Sequence, residues 1–262
     1  MFGREVDGLK LTFRLAGINN QNFLMRDEET GTYWQQISGL AIAGPLKDRQ
    51  LPIIASDELT FGLWRAEHPQ GTVLKDLDKY KAEYSPMDWD VKMKKARTVL
   101  SFAEAGLKPR DLMLGIRAFG ASRAFPFEKA IQAKLIQDRV GSEAVLLVVG
   151  PDAQSIRAFR QRIAGVDGVP EFYRTVEERA PAKLDPASAA APLLMDDATG
   201  SRWNFQGCAV EGKAKGTCLE RIEVVKDYWF DWRNYNPQTT VYGQTLRGGS
   251  AQQLARPAKA TP

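Results

Sequence analysis

Asp27-Glu28-Glu29-Thr30-Gly31-Thr32-Tyr33-Trp34 and Asp196-Asp197-Ala198-Thr199-Gly200-Ser201-Arg202-Trp203 are two versions of one octapeptide, far apart in a chain of 262 residues. In each, Asp and Thr can bond nearby backbone groups while Gly takes a left-handed conformation, so the pattern spells a turn. The Trp that follows opens a strand. The register persists outward after one deleted residue: Gly39, Ala41, Gly44 and Leu51 fall on Gly207, Ala209, Gly212 and Leu219. Trp64-Arg65 then falls on Trp232-Arg233, and Pro69, Thr72 and Val73 fall on Pro237, Thr240 and Val241. Residues 22–74 and 192–242 are therefore expected to share one backbone, with Trp34 and Trp203 in equivalent buried places.

Within that unit, residues 41–51 read as strand, turn and strand, repeated at 209–219. A short amphipathic helix is expected next, because Phe61, Trp64 and His68 share one face, with Leu59 and Leu63 nearby. Ser56 or Asp57 is its expected N-cap, and Pro69 its stop. In the second unit Trp229, Trp232 and Asn236 hold the same face, with Asp227 as cap and Pro237 as stop.

Between the units, residues 76–111 read as a connector with one helix over about 91–105. Residues 114–119 and 121–125 pattern as a hairpin across Gly120, followed by a helix over 127–134. A second hairpin is expected over 136–140 and 143–149, and a further strand over 155–159. Residues 181–191 read as a low-complexity linker, and the tail from Gln244 as disordered. The fold class is α+β, strand-rich, built on an internally duplicated hairpin-plus-short-helix unit. The expected organisation is a first unit at 1–75, a connector at 76–111, a second unit at 112–243 and a tail at 244–262.

Composition narrows the function classes. A hydrophobic fraction of 44% and a charged fraction of 26% are those of an ordinary globular protein. The formal charge of +4 is spread along the chain, and its densest run, Lys92 with Lys94, Lys95 and Arg97, is flanked by acids, so it reads as a solvated helix face. No nucleic acid is expected as partner. No apolar run is long enough for a membrane span.

Taken together, Val6-Asp7-Gly8, Gly17-Ile18-Asn19-Asn20-Gln21-Asn22-Phe23, the Thr-Gly-x-x-Trp turns, Gly44-Pro45, Leu114-Gly115-Ile116-Arg117, Ala124-Phe125-Pro126 and the 229–237 stretch resemble the bacterial family catalogued as domain of unknown function 3179. The resemblance covers most of the chain and carries no activity with it. It implies that each unit begins with a hairpin, a helix and a strand, often with a cysteine-bearing segment. The second unit has that lead-in at 113–159, whereas the first starts at its end, with Phe2 aligned on Phe159. The resemblance thus implies a trimmed first unit and an exported protein; the literal N-terminus, which lacks a secretory signal, reads as cytoplasmic. Where the cysteine segment would stand, this chain has Val149-Gly150-Pro151-Asp152-Ala153, which removes any redox or metal role borrowed from it.

The available chemistry is sparse. One histidine, His68, excludes multi-histidine zinc sites, and neither phosphate-loop nor dinucleotide fingerprints occur, so no cofactor and no metal are expected. Cys208 and Cys218 flank the second unit's hairpin; they are expected to form a disulfide in an exported protein, or a pair of reduced buried thiols in the cytoplasm. Polar residues present in only one unit mark the candidate site: Asn20, Asn22, Gln35, Gln36 and His68 edging one cleft, with Asp27 and Trp34 in support. The other reading is that the asparagines cap turns and His68 caps a helix. Two functions follow: a non-catalytic binding or structural module with an unknown ligand or protein partner, or an enzyme with a single polar cleft in the first unit around His68.

Overall fold

The computed structural model describes residues 1–19, 21–102, 106–175 and 184–244. The first unit opens with a two-stranded ribbon, β1 (Glu5–Val6) and β2 (Leu9–Lys10), and continues as an antiparallel sheet of β3 (Phe13–Asn19), β4 (Asn22–Asp27), β5 (Tyr33–Gln35) and β6 (Ala41–Ala43). Helix α1 (Phe61–Glu67) closes the unit, and α2 (Trp89–Lys95) lies in the connector. The lead-in of the second unit comprises the hairpin β7 (Leu112–Ala118) and β8 (Ala121–Pro126), then α3 (Phe127–Ala133), β9 (Leu135–Val140), β10 (Glu143–Val149) and β11 (Ile156–Arg160). After β12 (Phe172–Arg174) and α4 (Pro186–Ala190) comes the sheet β13 (Pro192–Asp196), β14 (Arg202–Asn204) and β15 (Ala209–Glu211). The chain ends with β16 (Arg221–Ile222), β17 (Val225–Tyr228), α5 (Trp229–Tyr235) and β18 (Thr240–Val241). The result is strand-rich α+β.

The two units repeat each other down to single contacts. Sheet β3-β4-β5-β6 matches β12-β13-β14-β15. Trp34 and Trp203 are both fully buried, each with a phenylalanine edge-on, Phe13 at 5.9 Å and Phe172 at 5.8 Å. Gly44 and Gly212 let one backbone pass another: a Cβ there would lie 2.7 Å from Thr32 Cα and 2.6 Å from Ser201 Cα, which no side chain tolerates. The isolated bridge Leu40↔Gln50 recurs as Cys208↔Cys218, where it is covalent, so the cysteines form the disulfide. Helices α1 and α5 end alike, on His68 (φ −126°, ψ 67°) and Asn236 (φ −130°, ψ 67°). Phe2 bridges Ile53 as Phe159 pairs with Arg221.

Four details differ from the sequence reading. The N-cap of α1 is Thr60, whose hydroxyl accepts from Leu63 N, rather than Ser56 or Asp57. Asp227 lies in β17, and Tyr228 stands at the cap of α5. Helix α2 stops at Lys95 because it buries nothing, while the side chain of Gln21 holds Val99 N and Arg97 O beyond the helix end. Residues 186–190, read as linker, form α4 behind a capping box of Asp185 and Ser188 with Pro186 in the first turn. The tail from residue 245 and residues 181–183 of the linker lie outside the described residues.

The cores explain how the units sit together. The first unit's own core is small: Val6, Leu11, Trp34, Ala41 and Leu51. Leu63 and Ala66 of α1 instead join the main core of the second unit, beside Leu146, Phe159, Ala189, Leu194 and Trp203. Helix α5 packs on the β7–β8 hairpin, burying Trp229 and Trp232 against Met113, Ala124 and Val241.

Candidate functional site

Asp27 and Trp34 belong to the core. The Asp27 carboxylate accepts from Thr30 N at 2.6 Å, Gly31 N at 3.1 Å and the indole Nε1 of Trp34 at 2.8 Å. Burial alone pushes this carboxyl up, but the bonds from Trp34 and Thr30 outweigh it and hold it below the usual range. Asp196 does the same for Thr199, Ser201 and Trp203, with its indole bond at 2.9 Å. A residue doing one job in both units is a folding residue.

The remaining candidates are not joined by side-chain hydrogen bonds to one another among the described residues. Gln35 accepts from Ser38 Oγ at 2.8 Å, and Gln36 N donates to Phe23 O. His68 is exposed at the end of α1, its ring 6.0 Å from that of Trp64. Among the described residues no hydrogen bond or ring contact joins His68 to Asn22, Gln35 or Gln36. Asn20 lies outside the described residues.

Asn22 leads elsewhere. Its amide Nδ2 donates to Asp231 Oδ2 of α5 at 2.7 Å, joining the first unit's β3–β4 hairpin to the second unit's helix. Asp227, Arg110 and Tyr235 complete the cluster. Tyr235 donates to Asn19 O at 3.4 Å, and the Arg110 guanidinium lies 4.9 Å from both the Tyr228 and Phe230 rings. Burial, then the neighbouring Asp231, pushes the Asp227 carboxyl up to about 8. Burial also raises Asp231, against the opposing pull of Asn22 and Arg110, and raises the Tyr235 phenol. Asn22 Oδ1, Asp227 Oδ2, Asp231 Oδ1 and an Arg110 nitrogen are enclosed without a protein partner. The equivalent places in the first unit are Leu59 and Leu63, which pack into the main core, so one junction between the units is polar and its counterpart apolar.

The apolar junction is locked at its rim by charge. Arg157, buried, pairs with Asp57 and Glu67, each at 2.7 Å, and stacks 4.4 Å from Phe205. Asp152, in the segment where a cysteine was sought, accepts from Thr60 Oγ1 at 2.7 Å and from Ser155 N, so that loop holds the start of α1.

One face of the first unit is left open. Helix α1 buries Leu63 and Ala66, and its expected aromatic face points outward. Equivalent positions in the two units differ sharply in exposure: Ile54 is 48% exposed against 8% for Ile222, Phe61 59% against 0% for Trp229, and Val73 64% against 1% for Val241.

A family model described as Protein of unknown function (DUF3179) matches residues 1–239, spanning both units and the connector. The chain belongs to this family. No curated protein and no solved structure matches it.

Chemically, this DUF3179 chain offers two distinct features. The Asp227–Asp231 pair can hold a proton, yet its free oxygens are enclosed, which suits a proton-linked junction between units better than a reaction centre. The open face of α1 offers apolar surface of the kind that marks interaction sites. No group of three or more His, Cys, Asp or Glu suited to a metal ion occurs among the described residues. Sequence reasoning singled out Asn22 but missed its partner Asp231. The signal was available: Asp227 and Asp231 replace Leu59 and Leu63 of the first unit.

Proposed function

We propose that this chain is a non-catalytic binding module of an exported protein, and that it takes a polypeptide partner on the open face of its first unit. One observation carries the reading: Ile54, Phe61 and Val73 are exposed where their counterparts Ile222, Trp229 and Val241 are buried. The acids common to both units, Asp27 and Asp196, are occupied in turns. Among the described residues no hydrogen bond joins His68 to Asn22, Gln35 or Gln36, which favours the binding module over an enzyme centred on that histidine. The Cys208–Cys218 disulfide favours an oxidising compartment.

The test is site-specific photocrosslinking in the producing cell. A photoreactive residue in place of Phe61 is expected to give a discrete polypeptide adduct, and one in place of Lys213, on the hairpin turn of the second unit, is expected to give none. No adduct from position 61, or identical adducts from both positions, contradicts the reading.

A further inference from the structure

The second unit carries a charged groove that neither the polar junction nor the open face of α1 uses. Its walls are the β7–β8 turn with the strand ends beside it, the β9–β10 turn, and residues 236–240 between α5 and β18. All of them belong to the second unit, and Ile54, Phe61 and Val73 are not among the lining residues.

Backbone holds these walls in place. The two-residue turns need left-handed conformations, at Phe119 (φ 52°) and Gly120 (φ 72°) in one and at Gly141 (φ 57°) in the other. The turns touch, because a Cβ on Gly141 would lie 2.5 Å from Phe119 O. The third wall is tied down where Thr240–Val241 pairs with Arg123–Ala124, and where Asn236 Nδ2 donates to Trp232 O at 3.0 Å. The groove holds about 780 Å³, within the range of small-molecule sites.

Its charge is of one sign. Arg117 of β7, Arg123 of β8 and Arg139 of β9 line it with Ser122, Gln238 and Thr240, and no aspartate or glutamate is among the lining residues. Arg123 is committed: its Nε donates to Asp138 at 2.6 Å and its Nη1 to Thr240 Oγ1 at 3.0 Å. Arg117 and Arg139 are exposed, and their side chains reach only backbone, Ser38 O at 3.4 Å and Ser142 O. Among the described residues neither has a carboxylate partner, whereas Arg14, Arg49, Arg160 and Arg221 each do. Two guanidinium charges therefore stand uncompensated in one concave surface, which concentrates ions of opposite sign. A guanidinium presents its N–H groups as a planar fork that matches carboxylate or phosphate oxygens.

We propose that this groove binds a small molecule bearing at least two oxyanion groups, phosphate or carboxylate, taken by Arg117 and Arg139 with Ser122 and Gln238 as neutral donors. Two groups are specified because two guanidinium ions lack a counter-charge. The site is separate from the polypeptide face and does not depend on it.

The probes are pyrophosphate and citrate, with inorganic phosphate as the single-group comparison, titrated into the intact oxidised protein and followed by calorimetry and amide chemical shifts. At least one of the first two is expected to bind with a dissociation constant below about 1 mM, at least about tenfold tighter than phosphate. Shifts are expected at the amides of Gly120, Ser122, Gly141 and Gln238, and which probe binds distinguishes phosphate from carboxylate chemistry. The double variant Arg117→Gln, Arg139→Gln should lose at least about tenfold in affinity. Arg162→Gln, an exposed arginine outside the groove, should lose none. Both altered side chains are exposed and without carboxylate partners, so the double variant folds, as unchanged thermal unfolding would verify. The shift pattern in the unaltered protein is a second readout that needs no variant. No binding of either probe up to about 10 mM overturns the proposal, as do shifts confined to other amides, equal affinity for phosphate, or affinity that a folded double variant retains. The crosslinking result at position 61 is unaffected by any of these outcomes.

Discussion

Asn22 of the first unit donates its side-chain amide to Asp231 of the second unit at 2.7 Å, and beside this bond Asp227 keeps its proton up to about pH 8. The contact has no polar counterpart at the equivalent junction, where Leu63 packs beside Ala189. The two halves of the molecule are thus joined once by a protonated polar cluster and once by an apolar core rimmed with ion pairs.

Stability should therefore fall as the medium becomes alkaline. Asp227 titrates near 3.8 when unfolded and near 8 when folded, so between those values the folded state holds the extra proton and loses stability as pH rises. Asp231, also raised, acts in the same direction. The expected slope is up to about 1 kcal/mol per pH unit between pH 5 and 8, flattened by Asp227→Asn. Below about pH 4 the trend reverses, because Asp57, held near 2 in the folded protein by Arg221 and Arg157 against its own burial, takes up its proton first in the unfolded chain. Urea denaturation at a series of pH values measures both limbs; a wild-type profile level from pH 5 to 8 contradicts the assignment.

Asp27→Ala and Asp196→Ala should each destabilise by about 2–4 kcal/mol, since each removes a turn cap and leaves a buried indole N–H unpaired. The duplication predicts costs that agree within about 1 kcal/mol. Thermal and chemical denaturation of the two variants decide it; a loss confined to one of them separates the units.

The pair Leu40↔Gln50 stands where Cys208↔Cys218 is bonded. The double variant Leu40→Cys, Gln50→Cys should accordingly close a second disulfide on oxidation, detected as the loss of two further hydrogens by mass spectrometry. Stabilisation of about 2–3 kcal/mol is expected from so short a loop. Two thiols that stay free under oxidising conditions contradict the structural equivalence.

His68→Asn installs the residue that the second unit carries at the same helix end, with nearly the same backbone angles. Stability should change by less than about 0.5 kcal/mol, and crosslinking at position 61 should persist. A loss of adduct in a folded His68→Asn protein restores the histidine to a functional role.

The duplication was legible in the sequence because its markers, Gly44 and Gly212, Trp34 and Trp203, have backbone or packing duties that fix residue identity. The hairpins at β7–β8 and β9–β10 were legible for the same local reasons. Helix α1 was placed correctly and its buried face was not: Phe61 and Trp64 share a stripe, but Leu63 and Ala66 are the residues that meet the second unit's core. Pattern within one element does not reveal which neighbour it finds. The partners of the polar candidates were hidden in the same way. Asn22 differs visibly from the second unit, while its partner Asp231 lies on an element more than two hundred positions away and is brought to it only by the docking of α5.

The central claim is that the first unit leaves open a face whose counterpart in the second unit is covered by β7 and β8. Hydrogen exchange of the free protein, read residue by residue, tests it most directly. The amides of Asp227 and Tyr242, held by β7 and β8, should be protected, whereas those of their counterparts Leu59 and Leu74 should exchange at close to unstructured rates. Equal protection at the two sets of positions would contradict the account.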